Sequence, residues 1–197
     1  TVIGNTTPKF QGGFGLSGQW KNFDFTANFN YMVDFDVYNA TNYMLSSSIS
    51  NTNNFYNVLA DFTQKNRWTY VRADGECLYK NTNIDGSVNE YITMNAGKSL
   101  WNPADVEDKV THSYFVEDGS FLRLQDVTIG YTLPSNLTKK LGMSKVRFYA
   151  SSSNLFILTG YSGYDPEVDV QSGLTPSMDY NRYPRSRSFV FGTNITF

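Results

Sequence analysis

Aromatic side chains in two polar stretches of this sequence are the residues best suited to hold a ligand. Trp68 and Trp101 lie in the first stretch, and Tyr161 and Tyr164 lie in the second. Rings of this kind stack on the face of a sugar or grip a peptide; they also anchor their own loops or belong to an aromatic girdle at a membrane interface. These four are candidate substrate-binding residues, and loop anchoring is the alternative.

An acidic run in the second polar stretch suggests a different chemistry. Asp165, Glu167 and Asp169 alternate with other residues, and carboxylate oxygens are the ligands that hard cations prefer. The alternative is that Asp165 and Pro166 fix a turn and that the other two carboxylates are solvated. The sequence favours this second interpretation, so we predict no metal site.

A pair of aspartates, Asp34 and Asp36, falls on one face of an alternating segment and invites comparison with a hydrolase. Hydrolysis by two carboxylates also requires a defined cleft and two tuned pKa values. Nothing else in the sequence supplies them, and a hydrated channel explains the pair more simply. Cys77 and His112 are each alone, which excludes thiolate clusters and pairs of histidine ligands. We therefore predict no enzymatic activity and no cofactor.

A formal G-x-G-x-x-G motif runs from Gly13 to Gly18. A dinucleotide site requires a strand before this motif and a helix that begins within it. Trp20 and a long alternating segment follow here, without a helical period. The glycines are better explained by crowding in a bent sheet.

The segment 23–37 shows the clearest secondary structure signal. Its odd positions from Phe23 to Val37 are apolar, and its even positions are polar except at Met32. Alternate side chains of a strand lie on opposite faces, so one face is apolar and the other hydrophilic. Most strands of globular proteins have about 5–6 residues. A strand this long favours lipid on one side and a water-filled lumen on the other; a sandwich strand with one solvated face is the alternative.

Four further segments alternate in the same way, so the predicted fold class is all-β. The predicted strands lie near 9–20, 23–37, 119–133, 145–158 and 187–197. Short connections join the first strand to the second and the third to the fourth, and long polar loops, 38–118 and 159–186, provide the other two connections. Outer-membrane barrels have this asymmetry of short turns and long outer loops. The alternation changes phase near Asp126, which predicts a β-bulge.

Composition agrees with this architecture and excludes other classes. Charged residues make up 17% of the chain, below the roughly 25% of soluble domains, and aromatic residues make up 16%. The net charge of −2 provides no basic surface for nucleic acid. No run approaches the roughly 20 apolar residues of a membrane-spanning helix.

Four ordered motifs resemble the C-terminal end of SusC/RagA-type TonB-dependent outer-membrane transporters of the Bacteroidetes. They are P-K-F-Q-G-G-F (8–14), E-D-G-S-F-L-R-L-Q-D-V-T-I-G-Y-T-L-P (117–134), S-N-L-F-I-L-T-G-Y-S-G-Y-D-P-E (153–167) and Y-P (183–184). The resemblance implies a plugged barrel of about 22 strands, the size of large outer-membrane transporters. These 197 residues would supply its last strands, about five, without the plug and the TonB-contacting segment.

The same resemblance implies a function. Proteins of this family import nutrients, typically glycans or peptides, across the cell outer membrane with energy delivered through TonB. The expected partners are the remainder of the barrel and plug, a SusD-like surface lipoprotein, TonB through the missing N-terminal part, the cargo and the lipid bilayer. The alternative from another class is a secreted β-sandwich carbohydrate-binding module without a transport role.

The final strand carries one more implied role. Gly192, Ile195 and Phe197 resemble the glycine, apolar residue and terminal aromatic of the signal that the barrel assembly machinery recognises. Val190 departs from this signal, where a polar residue is usual. An unpaired strand edge is not tolerated in lipid, so the final strand must pair with a first strand that this chain lacks. We therefore expect the chain to be one portion of a larger protein.

Overall fold

The computed structural model describes residues 2–46, 58–62, 66–67, 70–71, 77–78, 93–94, 100–101, 113–168 and 176–197. The chain divides into two compact units. One unit comprises residues 1–38 together with 116–197, and the other comprises residues 39–115.

Strands dominate the described residues. In chain order they are β1 (Phe10–Trp20), β2 (Phe23–Val33), β3 (Asp36–Asn39), β4 (Tyr70–Val71), β5 (Cys77–Leu78), β6 (Thr93–Met94), β7 (Val116–Asp118), β8 (Phe121–Thr132), β9 (Lys145–Thr159), β10 (Met178–Asp179) and β11 (Ser188–Thr196). The helices are α1 (Ala40–Leu45), α2 (Ser135–Thr138) and 3₁₀ turns at Ala60–Phe62, Ser113–Phe115 and Lys139–Leu141. Within the described ranges, no helix has the length and apolar character needed to cross a membrane.

Five long strands form one antiparallel sheet in the order β1-β2-β8-β9-β11. At one end, which we call the short-turn end, the connections are residues 21–22 and 133–144. At the other, the long-loop end, β2 and β9 lead into the polar stretches that precede β8 and β11. Because β8 pairs directly with β2, the stretch between them is an insertion between neighbouring strands.

One face of this sheet is apolar from edge to edge. Phe25, Ile129, Ala150 and Phe191 are successive cross-strand partners on it. Many of its large side chains are exposed, namely Phe14, Leu16, Trp20, Phe23, Phe25, Ile129, Phe148, Phe156, Leu158, Phe189, Phe191 and Ile195. Soluble monomers rarely expose so large a contiguous apolar surface. This face therefore requires an apolar environment.

The opposite face is polar, except at the long-loop end. There Phe35, Val37, Phe121, Tyr161 and Val168 form a buried cluster, which we call the loop-end core. Met32 and Ile157 pack against this cluster from β2 and β9. The apolar exception at Met32 is thus explained, because it faces apolar side chains rather than water.

Two bulges keep the apolar residues of β8 and β9 on one face. The register between β2 and β8 shifts between Asn28 and Phe29, which leaves Gln125 without a cross-strand partner on β2. The register between β8 and β9 also shifts at this level, where Asn154 has a φ of 53°. The bulge predicted near Asp126 is confirmed, and it restores Leu124 and Val127 to the same face.

The predicted strand 23–37 is divided at Asp34 in the structure. Asp34 adopts a φ of 62°, and its backbone N–H donates to Ser120 Oγ at 2.9 Å. Its carboxylate pairs with Lys9 Nζ at 2.5 Å. Since a residue with this φ cannot continue a strand, the chain leaves the large sheet. It continues as β3 in a small sheet of order β10-β3-β7.

The unit of residues 39–115 has an aromatic core of its own. Phe62 and Phe115 are almost fully buried. Phe115 packs edge-on against the ring of Tyr43, with centroids 5.5 Å apart. Asn39 caps helix α1, because its side-chain oxygen accepts from the backbone N–H of Asn42 at 2.9 Å.

Candidate functional site

Two of the sequence motifs meet at the long-loop end of the large sheet. Glu117 precedes β8, and its carboxylate accepts from both the backbone N–H and the hydroxyl of Ser162 at 2.8 Å. Ser162 belongs to the segment that follows β9. This pair of hydrogen bonds holds the start of the second polar stretch against β7.

A buried arginine provides the second link between these motifs. Arg123 lies on the polar face of β8, and only 3% of its surface is exposed. Its Nη2 donates to Asp165 Oδ1 at 2.6 Å, and its Nε lies 3.2 Å from Glu167 Oε2. Its guanidinium carbon also lies 5.5 Å from the centre of the Phe121 ring. Burial of a lone guanidinium would be costly, so the position of this arginine depends on the carboxylates.

Glu167 extends the network to the segment before β11. Its Oε1 accepts from Arg185 Nη2 at 2.8 Å, so one carboxylate contacts two guanidinium groups. The expectation that Glu167 is solvated is therefore wrong. Its carboxylate lies beside the buried Arg123, whose charge requires counter-charges nearby. The predicted turn is present, since Asp165 Oδ1 accepts from the backbone N–H of Glu167 at 3.0 Å in an Asx turn. Asp169 lies outside the described residues.

The predicted substrate-binding aromatics occupy different environments. Tyr161 belongs to the loop-end core, is 6% exposed, and donates its hydroxyl to Asp179 Oδ2 at 2.7 Å. Burial, and after it this hydrogen bond, raises the pKa of Tyr161 well above its usual value. Tyr164, three residues later, is 77% exposed. Of these two side chains, only that of Tyr164 is accessible from solvent.

The tryptophans belong to the first polar stretch. Trp101 lies in the unit of residues 39–115, where its ring contacts Phe62, Tyr114 and Phe115 edge-on at centroid distances of 5.0 to 5.6 Å. These contacts fit the loop-anchoring alternative. Trp68 lies outside the described residues.

The two other aspartates singled out in the sequence have structural partners. Asp36 Oδ2 accepts from the backbone N–H of Asn5 at 2.7 Å. Asp34, paired with Lys9, lies between β2 and β3 rather than beside Asp36 on one strand. The hydrolase alternative therefore gains no support from their arrangement.

Gly192, a predicted assembly residue, belongs to a row of cross-strand partners on the polar face of the sheet. In this row Asp24, Gly130, Tyr149 and Gly192 are successive partners. Arg147 Nε donates to Asp24 Oδ1 at 2.9 Å, and its Nη2 donates to the other carboxylate oxygen. A side chain at Gly130 would collide with this pair, and one at Gly192 would collide with the Tyr149 ring. Large and small residues thus alternate along the row.

Ile195 and Phe197, the other two predicted assembly residues, have exposed side chains. Ile195 lies opposite Val146 of β9, on the face that carries Phe191, and is 49% exposed. Phe197 follows the last strand residue and is 87% exposed. Both side chains are thus accessible, either to an apolar environment or to a protein that recognises the final strand.

A cavity of about 360 Å³ opens beside the loop-end core. Met32 and Phe35 form part of its wall, and Glu167, Arg182 and Arg185 contribute charged groups. The charged network and the loop-end core thus border one space. This region is the best candidate for a ligand site in the described part of the chain.

Comparison with known proteins relates the whole chain to TonB-dependent receptors. No protein-family model matches it. TonB-dependent receptor P3 of Formosa agariphila is 32% identical over 202 aligned residues that cover all of this chain. TonB-dependent receptor SusC of Bacteroides thetaiotaomicron is 41% identical over 86 residues, which cover 43% of this chain and 8% of SusC. The chain spans 17% of the length of receptor P3, so it corresponds to a small part of such a protein.

Solved structures agree with this relationship at the level of the fold. The RagAB peptide importer in its open-open state matches 100% of this chain, and 18% of its own chain, with a TM-score of 0.62 at 23% identity. The RagAB peptide transporter matches 97% of this chain and 17% of its own, with a TM-score of 0.66 at 22% identity. The resemblance to SusC/RagA-type proteins and the all-β barrel-fragment fold are therefore confirmed. Because TonB-dependent receptors are outer-membrane proteins, the predicted location in the cell outer membrane is confirmed too.

Proposed function

We propose that this chain forms a section of the wall of a TonB-dependent importer that takes up nutrients through the outer membrane. The observation that carries the proposal is the contrast between the two faces of the five-stranded sheet. One face exposes Phe25, Ile129 and Phe191 with their apolar neighbours, while the other carries Asp24, Arg147 and Arg123. Transmembrane barrel walls have an apolar face toward lipid and a polar face toward the lumen.

The finer parts of the proposal concern partners and cargo. A SusD-like surface lipoprotein would cover the long-loop end, and TonB would contact a part of the protein outside this chain. The cargo would be a glycan or an oligopeptide. Of the proposed substrate-binding residues Trp68, Trp101, Tyr161 and Tyr164, the exposed Tyr164 is the one we expect to contact cargo most directly. Substitution Tyr164→Ala should weaken cargo binding without changing stability, because this side chain is mostly in solvent.

A secreted β-sandwich carbohydrate-binding module is the weaker alternative. Such a module would bury the apolar face of each sheet against a second sheet. In the described chain the loop-end core lies on the other, polar face, and the apolar residues are exposed. A sandwich would leave this arrangement unexplained.

Extraction from native membranes tests the proposal directly. The full polypeptide that carries this chain should require detergent, and the particle should be several times heavier than 22.3 kDa. It should also migrate differently on gels before and after boiling, as closed barrels do. A 22.3 kDa species that stays monodisperse without detergent would contradict the proposal and favour the sandwich.

A further inference from the structure

The apolar face of the large sheet carries a groove near the short-turn end. Its volume of about 360 Å³ falls within the roughly 300–1,000 Å³ typical of small-ligand sites. Gly18 forms part of its floor, opposite Phe25 of β2, and nothing lies within 4 Å of a carbon added at this glycine. Trp20, Phe23 and Ile129 contribute large side chains around it. The groove thus exists because one glycine interrupts a face of bulky residues.

The lining of this groove suits an alkyl chain. The rings and aliphatic groups that surround it are exposed on the apolar side of the sheet. Its two polar residues, Gln19 and Asp24, are cross-strand partners whose side chains belong to the opposite face. The carboxylate of Asp24 is held there by Arg147. An occupant of the groove therefore meets apolar groups.

One cation lies beside the groove, at the short-turn end. Lys21 follows Trp20 in the tight turn that leads to β2, and it is exposed. Its Nζ lies 4.8 Å from the centre of the Trp20 ring, which belongs to the groove lining. Within the described ranges, the ion pairs do not include Lys21. The ring thus holds the ammonium group next to the groove, where its charge is open to an anionic partner.

We propose that this groove binds one phospholipid of the membrane, with an acyl chain along Gly18 and the phosphate group beside Lys21. An alkyl chain with an anionic end matches an apolar groove with a cation at its end, since lysines near a membrane surface attract anionic headgroups. A second copy of this chain suits the groove less well, because its apolar face would bury the ammonium group without a counter-charge.

This inference rests on the proposed function, which assigns the apolar face to lipid, and deepens it by naming a lipid that is bound at one place. Photolabelling of the full-length protein in a non-ionic detergent tests it. The probe is phosphatidylglycerol with a diazirine in one acyl chain, and mass spectrometry measures the labelling of peptides from β1 and β2. The probe concentration for half-maximal labelling gives the apparent affinity.

A second probe isolates the contribution of the phosphate group. It is a diacylglycerol with the same labelled acyl chain and no phosphate. This probe should bind about fivefold more weakly, the factor that one lysine near an anionic surface supplies. Equal affinities for the two probes would overturn the inference.

Three variants locate the site. Lys21→Gln should reduce the affinity for the phospholipid probe about fivefold and leave that for diacylglycerol unchanged. Gly18→Leu should reduce the affinity for both probes about tenfold, since its side chain takes the place of about two methylene groups. The matched control Lys140→Gln removes an exposed ammonium group from the other short connection and should change neither affinity. An unchanged affinity in Lys21→Gln or Gly18→Leu, or an equal loss in Lys140→Gln and Lys21→Gln, would overturn the assignment.

Further measurements distinguish other occupants and separate this inference from the proposed function. Inorganic phosphate should fail to compete with the probe at matched concentration; competition equal to that by unlabelled phosphatidylglycerol would overturn the choice of a lipid. Dimers that Gly18→Leu abolishes would assign the groove to a second copy and overturn it too. Heat-modifiable migration on gels checks that each variant is folded. Folded barrel that is labelled equally in all variants would defeat this inference alone, whereas protein that needs no detergent would defeat the proposed function.

Discussion

Tyr149 of β9 lies directly opposite Gly192 of β11, and its ring occupies the space that a side chain at position 192 would need. The Arg147 guanidinium carbon lies 5.3 Å from the centre of the same ring. The final strand is therefore matched to its neighbour by shape as well as by backbone hydrogen bonds.

Substitution Gly192→Ala should lower the yield of folded protein, because the new methyl group overlaps the Tyr149 ring. Removing the ring in the double variant Gly192→Ala/Tyr149→Ala should restore much of that yield. Gly18→Ala is the matched control, since nothing lies within 4 Å of the added carbon there. The fraction of heat-modifiable protein on gels measures all three. If the double variant folded no better than Gly192→Ala, overlap with Tyr149 would not be the cause.

Substitution Arg123→Met should destabilise the long-loop end strongly. It leaves Asp165 buried without its counter-charge, which costs about 3–5 kcal/mol when one partner of a buried pair is removed. The change should appear in the free energy of unfolding in denaturant and as faster proteolysis of the segment between β9 and β11.

Two further variants separate charge from packing at this site. Arg123→Met/Asp165→Asn should recover part of the loss, because no uncompensated carboxylate remains next to position 123. Lys9→Met removes a cation from the exposed pair with Asp34 and should cost no more than about 1 kcal/mol. A loss as large for Lys9→Met as for Arg123→Met would rule out burial as the reason.

Substitution Ile129→Lys should impair insertion into the membrane. Ile129 is exposed on the apolar face of β8, and a lysine on the lipid face of a barrel costs about 2–4 kcal/mol near the bilayer midplane. Thr128→Lys places the same charge one residue earlier in β8, on the polar face of the sheet, and should be tolerated. Folding yields into lipid vesicles compare the two. Equal yields would contradict the assignment of the apolar face to lipid.

Stability at high pH should depend on Tyr161. Burial raises its pKa in the folded protein, so its contribution is complete below the ordinary tyrosine pKa of about 10. Above that pH the unfolded chain loses the proton while the folded chain keeps it, and stability falls as pH rises. The fall in unfolding free energy between pH about 8 and about 11 should be smaller in Tyr161→Phe than in the native protein. Tyr183→Phe removes an exposed hydroxyl and should show the same fall in unfolding free energy as the native protein. An equal fall in the native protein, Tyr161→Phe and Tyr183→Phe would contradict the prediction.

The strands were predictable because one face of the sheet is apolar and the other is polar over most of its length. Alternation with a single exception at Met32 marks Phe23 to Val33, and the change of phase near Asp126 correctly indicated a bulge. The division at Asp34 was not predictable, because the alternation continues through it while a hydrogen bond to Ser120 turns the chain.

The site was less predictable than the sheet, because it depends on contacts between distant segments. Arg123 sits between Leu122 and Leu124 and so reads as one more solvated residue of the polar face. Its burial follows from Asp165 and Glu167, some 40 residues away along the chain. The one available signal was the pairing of a lone arginine in one motif with the acidic D-P-E of another. For the same reason Tyr161, which resembles a ligand-binding loop aromatic in sequence, belongs to the loop-end core.

The bulge at Gln125 also determines which changes in length this strand tolerates. Residues on either side of it share a face only because one residue is left out of the pairing with β2. Deleting Gln125 would remove the unpaired residue and leave Leu124 and Val127 two positions apart, so both faces of β8 would keep their residues and the pairing with β2 would become regular. Deleting a paired residue such as Thr128 would instead exchange the two faces over the rest of the strand. Homologues aligned to this chain should accordingly vary in length between the strands or by one residue at Gln125, and a single-residue gap elsewhere in β8 would mark either an alignment error or a compensating change in a neighbouring strand.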